Sequence, residues 1–221
     1  KTIGIEDDAD FSAINIKIIG GSYHFDLKTP TEIIEGFILN LPGRHNVLNA
    51  VTALAMALEY GSPTNQLSQA LQSFKGIRRR FSYKIKTEEL VLIDDYAHHP
   101  AEIDAVFGAV KEMYPKKPNL VIFQPHLFSR TRDFADDFAE KLAQFDEIML
   151  MDIYPAREKP IVGVDSEWLL KKIDNPKKQL VKRGELSAKI AKTKAKVILM
   201  LGAGDIGNEV ETVKTALENE I

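Results

Sequence analysis

Cysteine is absent from the 221 residues. Disulfides and thiolate metal sites are therefore excluded, and a reducing compartment such as the cytoplasm is expected. Long apolar runs are also missing: none reaches the length needed to cross a bilayer, and no secretory pattern is visible at the start. A strong excess of one charge is lacking too. The net charge is −3, which argues against general nucleic-acid binding and leaves Arg78-Arg79-Arg80 to be judged locally. Repeats and low-complexity tracts do not occur. What is present is 44% hydrophobic and 28% charged residues, the composition of an ordinary globular protein. The opening Lys1-Thr2-Ile3-Gly4-Ile5-Glu6 reads like the middle of a strand, so a longer parent protein is expected.

Residues 1–40 alternate or run apolar in "INIKIIGGSYHFDL" and "EIIEGFILNL", with Gly20-Gly21 as a turn, and predict a β-rich segment. Val47, Leu48, Val51, Leu54, Ala55 and Leu58 then recur at helical spacing, and Gly61 ends that helix. Ser62-Pro63 reads as a cap and a first helical position for a second helix through Phe74, closed by Gly76. A domain boundary is expected near Gly76. Beyond it "FSYKIK" and "LVLIDDY" predict a hairpin. Helices over 100–113, 130–145, 165–172 and 185–193 then alternate with strands "NLVIFQ", "EIMLMD", "KQLVK" and "KVILMLG", before a last helix. That alternation predicts an α/β fold: a Rossmann-like, mostly parallel sheet with helices on both faces, preceded by the β-rich, two-helix portion.

Four polar clusters fall where such folds bind ligands. In "LIDDYAHHP", Asp94, Asp95, Tyr96, His98 and His99 follow a buried-type strand and precede a helix opened by Pro100, at a carboxyl strand end. A polar turn with the acids on local amides is the competing account; a zinc site is disfavoured, because adjacent side chains diverge and no third ligand has the spacing. In "GRHNVLNAVTAL", His45 and Asn49 are four apart and Asn46 and Asn49 three apart, so they can share one helix face, although Asn46 could simply cap. Arg79 and Arg80 sit in the short connection, where a solvated charge run is the plain alternative. In "VIFQPHLFSRTRDF", Ser129 can cap a helix whose first turn carries Arg130 and Arg132, against the dipole, which suits an anionic ligand. "GAGDIG" satisfies G-x-G-x-x-G at Gly202, Gly204 and Gly207, but on the last strand rather than the first. It reads as a tight strand-to-helix turn and not as an NAD site.

Taken together and in order, "LPGRHNVLNAVTAL", "GIRRRF", "DDYAHHPAEI", "FQPHLFSRTRDF" and "GAGDIG" resemble the Mur ligase family over essentially the whole chain. The resemblance implies that residues 1–76 are the end of a central ATP-binding domain and residues 77–221 a C-terminal Rossmann-like domain that binds an amino acid. It implies ATP-dependent amide formation, through an acyl phosphate, between L-alanine and the carboxylate of UDP-N-acetylmuramate, in the cytoplasm, with Mg2+ held by residues upstream. A sibling branch that attaches a tripeptide to the same sugar nucleotide is one alternative, and a non-catalytic Rossmann-like binding module is another. By resemblance His45 and Asn49 face the adenine and Asn46 the phosphates. Arg79 or Arg80 reaches the nucleotide, and Asp95 the ribose. Tyr96 and His98 line the reaction centre, and Arg130 takes the alanine carboxylate. Leu127 stands where some relatives carry a basic residue.

The chain contains no G-x-x-x-x-G-K-[ST] phosphate loop, which the resemblance makes necessary for holding ATP. The 221 residues alone should therefore fold yet hydrolyse no ATP with all substrates present. Phosphate release at enzyme-like rates would contradict this.

Overall fold

A computed structural model describes residues 1–219. The chain divides into two compact units, one made of Lys1–Gly76 with Gly108–Met113 and the other of Ile77–Phe107 with Tyr114–Ile221.

The first unit has a four-stranded sheet in sequence order: β1 (Ile3–Ile5), β2 (Phe11–Ile19), β3 (Ser22–Lys28) and β4 (Ile33–Leu39). β1 pairs parallel with β2, and the other neighbours are antiparallel. In β3 the two-residue period puts Tyr23, Phe25 and Leu27 inside, where Phe25 stacks on its cross-strand partner Phe37 at 5.7 Å between ring centres. Helix α1 (Arg44–Glu59) closes this face with Val47, Ala50, Val51, Leu54 and Ala55, one stripe at helical spacing. Helix α2 (Thr64–Ser73) follows. Its cap differs from the expected one: Pro63, in extended geometry, is the N-cap, and Ser62 is not. The proline's fixed φ suits that position as well as the first helical one.

The second unit is a six-stranded sheet in the order β5 (Ser82–Lys86), β6 (Val91–Asp95), β10 (Val197–Leu201), β7 (Asn119–Phe123), β8 (Glu147–Leu150), β9 (Lys178–Leu180). Only the β5–β6 hairpin is antiparallel; the four other pairings are parallel. β6, β7 and β10 are buried at every residue, as a sheet covered on both faces requires. One face turns Leu92, Leu120, Ile122, Ile198 and Met200 toward helices α7 (Leu186–Ile190) and α8 (Val210–Glu218). On the other, Phe123 meets Phe138 of α5 (Ala135–Ala143) at 5.4 Å. α3 (Pro100–Met113) and α6 (Ser166–Lys172) complete the helical complement with α4 (Phe128–Asp133). The fold class expected from the alternating pattern is the one observed.

Two expected helices are shorter than their apolar periodicity implied. The segment 130–145 is broken at Phe134, whose φ of −115° and ψ of 23° are non-helical, so α4 and α5 are separate. The segment 185–193 is a 3-10 turn, Arg183–Glu185, leading into α7. In both, buried apolar residues continue across the break, so periodicity alone could not reveal it. No helix among the described residues is long and apolar enough to cross a membrane.

Phe138 is wholly buried against Phe123. Phe138→Ala should cost about 3–5 kcal/mol of stability, read as a lower urea midpoint for the second unit.

Candidate active site

Parallel strands place their carboxyl ends on one edge, and β6, β10 and β7 lie side by side there. Three short sequences therefore meet: Asp94-Asp95-Tyr96-Ala97-His98 after β6, Gly202–Gly207 after β10, and Gln124-Pro125-His126 after β7. The strand order, with β10 inserted between β6 and β7, creates this meeting point.

Asp95 organises the first of these. It is 6% exposed. One carboxylate oxygen accepts the Phe81 amide at 2.6 Å and the other the Ala97 amide at 2.7 Å. Burial pushes its carboxyl pKa upward, against the pull of those two amides and of Arg80. Asp94 points the other way, as strand alternation demands, and meets Arg79 Nε at 3.3 Å. The Arg79 guanidinium also donates to the Gly202 carbonyl at 2.6 Å. Of the two arginines expected to reach a nucleotide, Arg79 is thus held inside the unit. The Arg80 side chain is about half exposed, over the Tyr96 ring at 5.7 Å and 3.4 Å from Glu102. The connection read as a polar joint is, from Arg79 onward, bound to the second unit: the Tyr96 amide donates to the Arg79 carbonyl.

His98 follows. Its Nδ1 lies 2.9 Å from the Tyr96 carbonyl and 3.3 Å from Glu102 Oε2. The Glu102 carboxylate also accepts the His98 and His99 amides. Burial opposes ionisation of Glu102, but the His98 amide, the His98 ring and Arg80 outweigh it and lower its pKa. The His98 ring sits edge-on to Tyr96 at 5.4 Å and to His126 at 6.0 Å.

His126 was not singled out as a site residue, though "QPHLFSR" places it four residues before Arg130. The structure makes it central. Tyr154 stacks on it at 5.6 Å, and the Arg130 guanidinium is 3.4 Å from its Nδ1. Burial, then Arg130 and His98, lower its pKa. Leu127 next to it adopts φ 75° and caps α4, a conformation that costs a branched residue about 1–2 kcal/mol and here re-aims the chain between His126 and the arginine. Ser129 does not cap α4. It lies within the helix, with its amide and hydroxyl donating to Glu158. Because α4 has six residues, Arg130 and Arg132 belong to its last turn as much as its first. The dipole argument for an anion therefore loses its force, and Arg130 stands as a candidate on its neighbours instead. Arg132 pairs with Asp133 at about half exposure.

The glycine turn does structural work. A Cβ on Gly202, at φ 150°, would lie 2.8 Å from the Gln124 carbonyl; on Gly204, 2.7 Å from Tyr154; on Gly207, 2.7 Å from the Arg79 guanidinium carbon. The glycines make room for a neighbouring backbone carbonyl and for protein side chains.

His45, Asn46 and Asn49 belong to the first unit. His45 and Asn49 lie on the exposed stripe of α1. The Asn46 side chain donates to the Pro42 carbonyl at 2.7 Å, the local helix-start role. Tyr96, His98, Arg130, Arg80, Arg79 and Asp95 are gathered on the strand edge of the second.

The sequence pattern described as "Mur ligase, glutamate ligase domain" matches residues 79–207. The chain belongs to the Mur ligase family. The match runs from Arg79 to Gly207, where a Cβ would meet the Arg79 guanidinium. Among relatives, a UDP-N-acetylmuramate–L-alanine ligase of Christiangramia forsetii is 62% identical over 220 residues, covering 100% of this chain and 49% of the relative. One of Flavobacterium johnsoniae is 54% identical over 217 residues, covering 98% and 48%. The solved UDP-N-acetylmuramate-alanine ligase of Thermotoga maritima superposes with a TM-score of 0.80 at 25% identity, over 99% of this chain and 48% of that one. The chain spans about half the length of the Mur ligases it matches.

Because burial raises the Asp95 pKa, the folded state binds this proton more tightly than the unfolded one. Its contribution to stability should thus grow as the pH falls through the raised folded value and level off below about 3.8, the ordinary aspartate value. Comparing the stability of the wild type and Asp95→Asn from pH 7 to 3 should show the wild type gaining relative to the variant on acidification. An opposite slope contradicts the assignment.

Proposed function

We propose that the chain is part of an ATP-dependent ligase that joins L-alanine to UDP-N-acetylmuramate in peptidoglycan precursor synthesis. The observation that carries this reading is the group Arg130, His126, His98 and Tyr96 on one strand edge, in a chain 62% identical to a relative bearing that name. In this reading residues 1–76 close a central ATP-binding domain, residues 77–221 form the amino-acid-binding domain, and the protein works in the cytoplasm.

The reaction needs an acyl phosphate on the sugar carboxylate and then attack by the alanine amine with loss of phosphate. ATP supplies the phosphoryl group. Positioning and charge complementarity carry such chemistry more than a protein nucleophile does. Arg130 offers a planar fork for the alanine carboxylate, and the rings of His126 and Tyr154 form an apolar wall beside it. Tyr96 lies between Arg80 and His98, linking the nucleotide contact to the reaction centre. Arg80, half exposed in its pair with Glu102, rather than the internally bound Arg79, is the cation that turns toward ATP phosphates. Asp95 reaches the ribose only as an acceptor already engaged by two amides, so its main part is to position Tyr96 and His98. His45 and Asn49 serve the adenine from α1; Asn46 serves the phosphates through what its bond to Pro42 leaves. Among the described residues no group of three His, Cys, Asp or Glu could hold a metal. Mg2+, which would neutralise phosphate charge, belongs in this reading to residues upstream.

A full-length enzyme carrying this sequence tests the reading by phosphate release with UDP-N-acetylmuramate and a panel of amino acids and peptides. Arg130→Ala should raise the KM for alanine by about thirty- to a thousandfold, from loss of ~2–4 kcal/mol, with ATP affinity nearly unchanged. Arg130→Lys should recover only part. A preference for a tripeptide would move the chain to the recycling branch. Normal alanine binding with lost ATP binding would make Arg130 a phosphate ligand.

A further inference from the structure

We infer that His98 and Glu102 form a dyad in which His98 Nε2 takes the proton of the incoming amino acid's ammonium group. This rests on the ligase reading above and assigns the first of the proton transfers that reading leaves open.

The argument begins with a tautomer. A backbone carbonyl only accepts hydrogen bonds, and His98 Nδ1 lies 2.9 Å from the Tyr96 carbonyl. Nδ1 therefore carries the hydrogen. Its second neighbour, the Glu102 carboxylate at 3.3 Å, is also an acceptor and demands the same assignment. In the neutral ring, Nε2 is then the nitrogen with the lone pair. The backbone enforces this arrangement. The Glu102 carboxylate is fixed by the His98 and His99 amides at 2.9 and 3.2 Å, and the Tyr96 carbonyl by the Ala97 amide of the same planar peptide unit, which donates to Asp95 at 2.7 Å. The ring cannot flip without breaking an Nδ1 bond.

The ring also stands in the right company. Facing it are Tyr96 from its own loop, Glu102 from α3, and His126 from the end of β7, with Arg130 of α4 behind His126. In this proposal an amino acid whose carboxylate sits on Arg130 turns its ammonium, a few ångströms away, toward His126 and His98. The Glu102 carboxylate stands 3.3 Å from Nδ1, on the far side of the ring from Nε2. A carboxylate behind a histidine orients the base in this way in other acyl-transfer sites.

The step balances. The ammonium gives one proton to Nε2, and the freed lone pair attacks the acyl carbon. The new C–N bond forms, the bond from carbon to the phosphate oxygen breaks, and the second nitrogen proton leaves with the phosphate. Glu102 touches neither substrate and is a positioning residue.

Two measurements test this. In this chain, long-range 15N–1H correlation spectra of His98 at neutral pH should show the Nδ1–H tautomer; an Nε2–H pattern overturns the inference. In the full-length enzyme, alanine is compared with hydroxylamine, which is largely unprotonated at neutral pH and attacks acyl phosphates without a base. His98→Gln should slow amide formation with alanine about a hundredfold or more, and Glu102→Gln less. Hydroxamate formation should fall far less in both. Equal loss with both nucleophiles means a merely structural role and overturns the proposal, as does an unchanged rate with alanine. An unmutated enzyme that forms hydroxamate but ligates no amino acid counts against the ligase reading instead, so the two failures are distinguishable.

Discussion

The second unit's site depends on one carboxylate held by two backbone amides. Asp95 ends a strand and binds both Phe81, at the entry to the unit, and Ala97, at the start of the loop that presents His98. Burying an ionised carboxyl is costly unless charge-assisted hydrogen bonds offset the lost hydration. Two short amide bonds offset part of that cost here, burial still raising the carboxyl pKa, and they fix chain segments that the sheet ladder does not reach. Tyr96, with Arg79 and Arg80 over its ring, inherits its place from that anchor.

A second constraint is crowding at the end of β10. The same glycines that suggest a dinucleotide fingerprint are packed against Gln124, Tyr154 and Arg79. Gln124 accepts the Ile206 amide and donates to Asp205, and Arg183 pairs with Asp205 and Glu209. The turn is thus committed to joining three strand ends. Close backbone approach is what glycine supplies in either setting; the neighbours determine what approaches.

The anion-binding argument shifts in a similar way. Helix polarity promised a reason for Arg130, but α4 is too short for its two ends to differ. Its N-terminus is satisfied by Glu158, whose carboxyl is held below its usual pKa by Ser129. Arg130 is left beside an imidazole whose own charging is disfavoured.

The sequence by itself determined the alternation of strands and helices, the parallel sheet, the buried faces and the ends at which polar residues collect. These follow from side-chain periodicity and turn chemistry, which are local. It also made Asp95, Tyr96, His98 and Arg130 visible, because ionisable residues packed against an apolar strand end are conspicuous. Only the tertiary structure decided the rest. The insertion of β10 between β6 and β7 brought His126 to His98, a contact across 28 residues of chain that no spacing encodes. It turned Arg79 inward and left Arg80 exposed, though the two are adjacent and identical. It broke the helix at Phe134 while the apolar stripe ran on, and it selected the nitrogen of His98 that carries the proton. Each of these outcomes rests on a partner supplied by another part of the chain, and such partners exist only once the chain has folded.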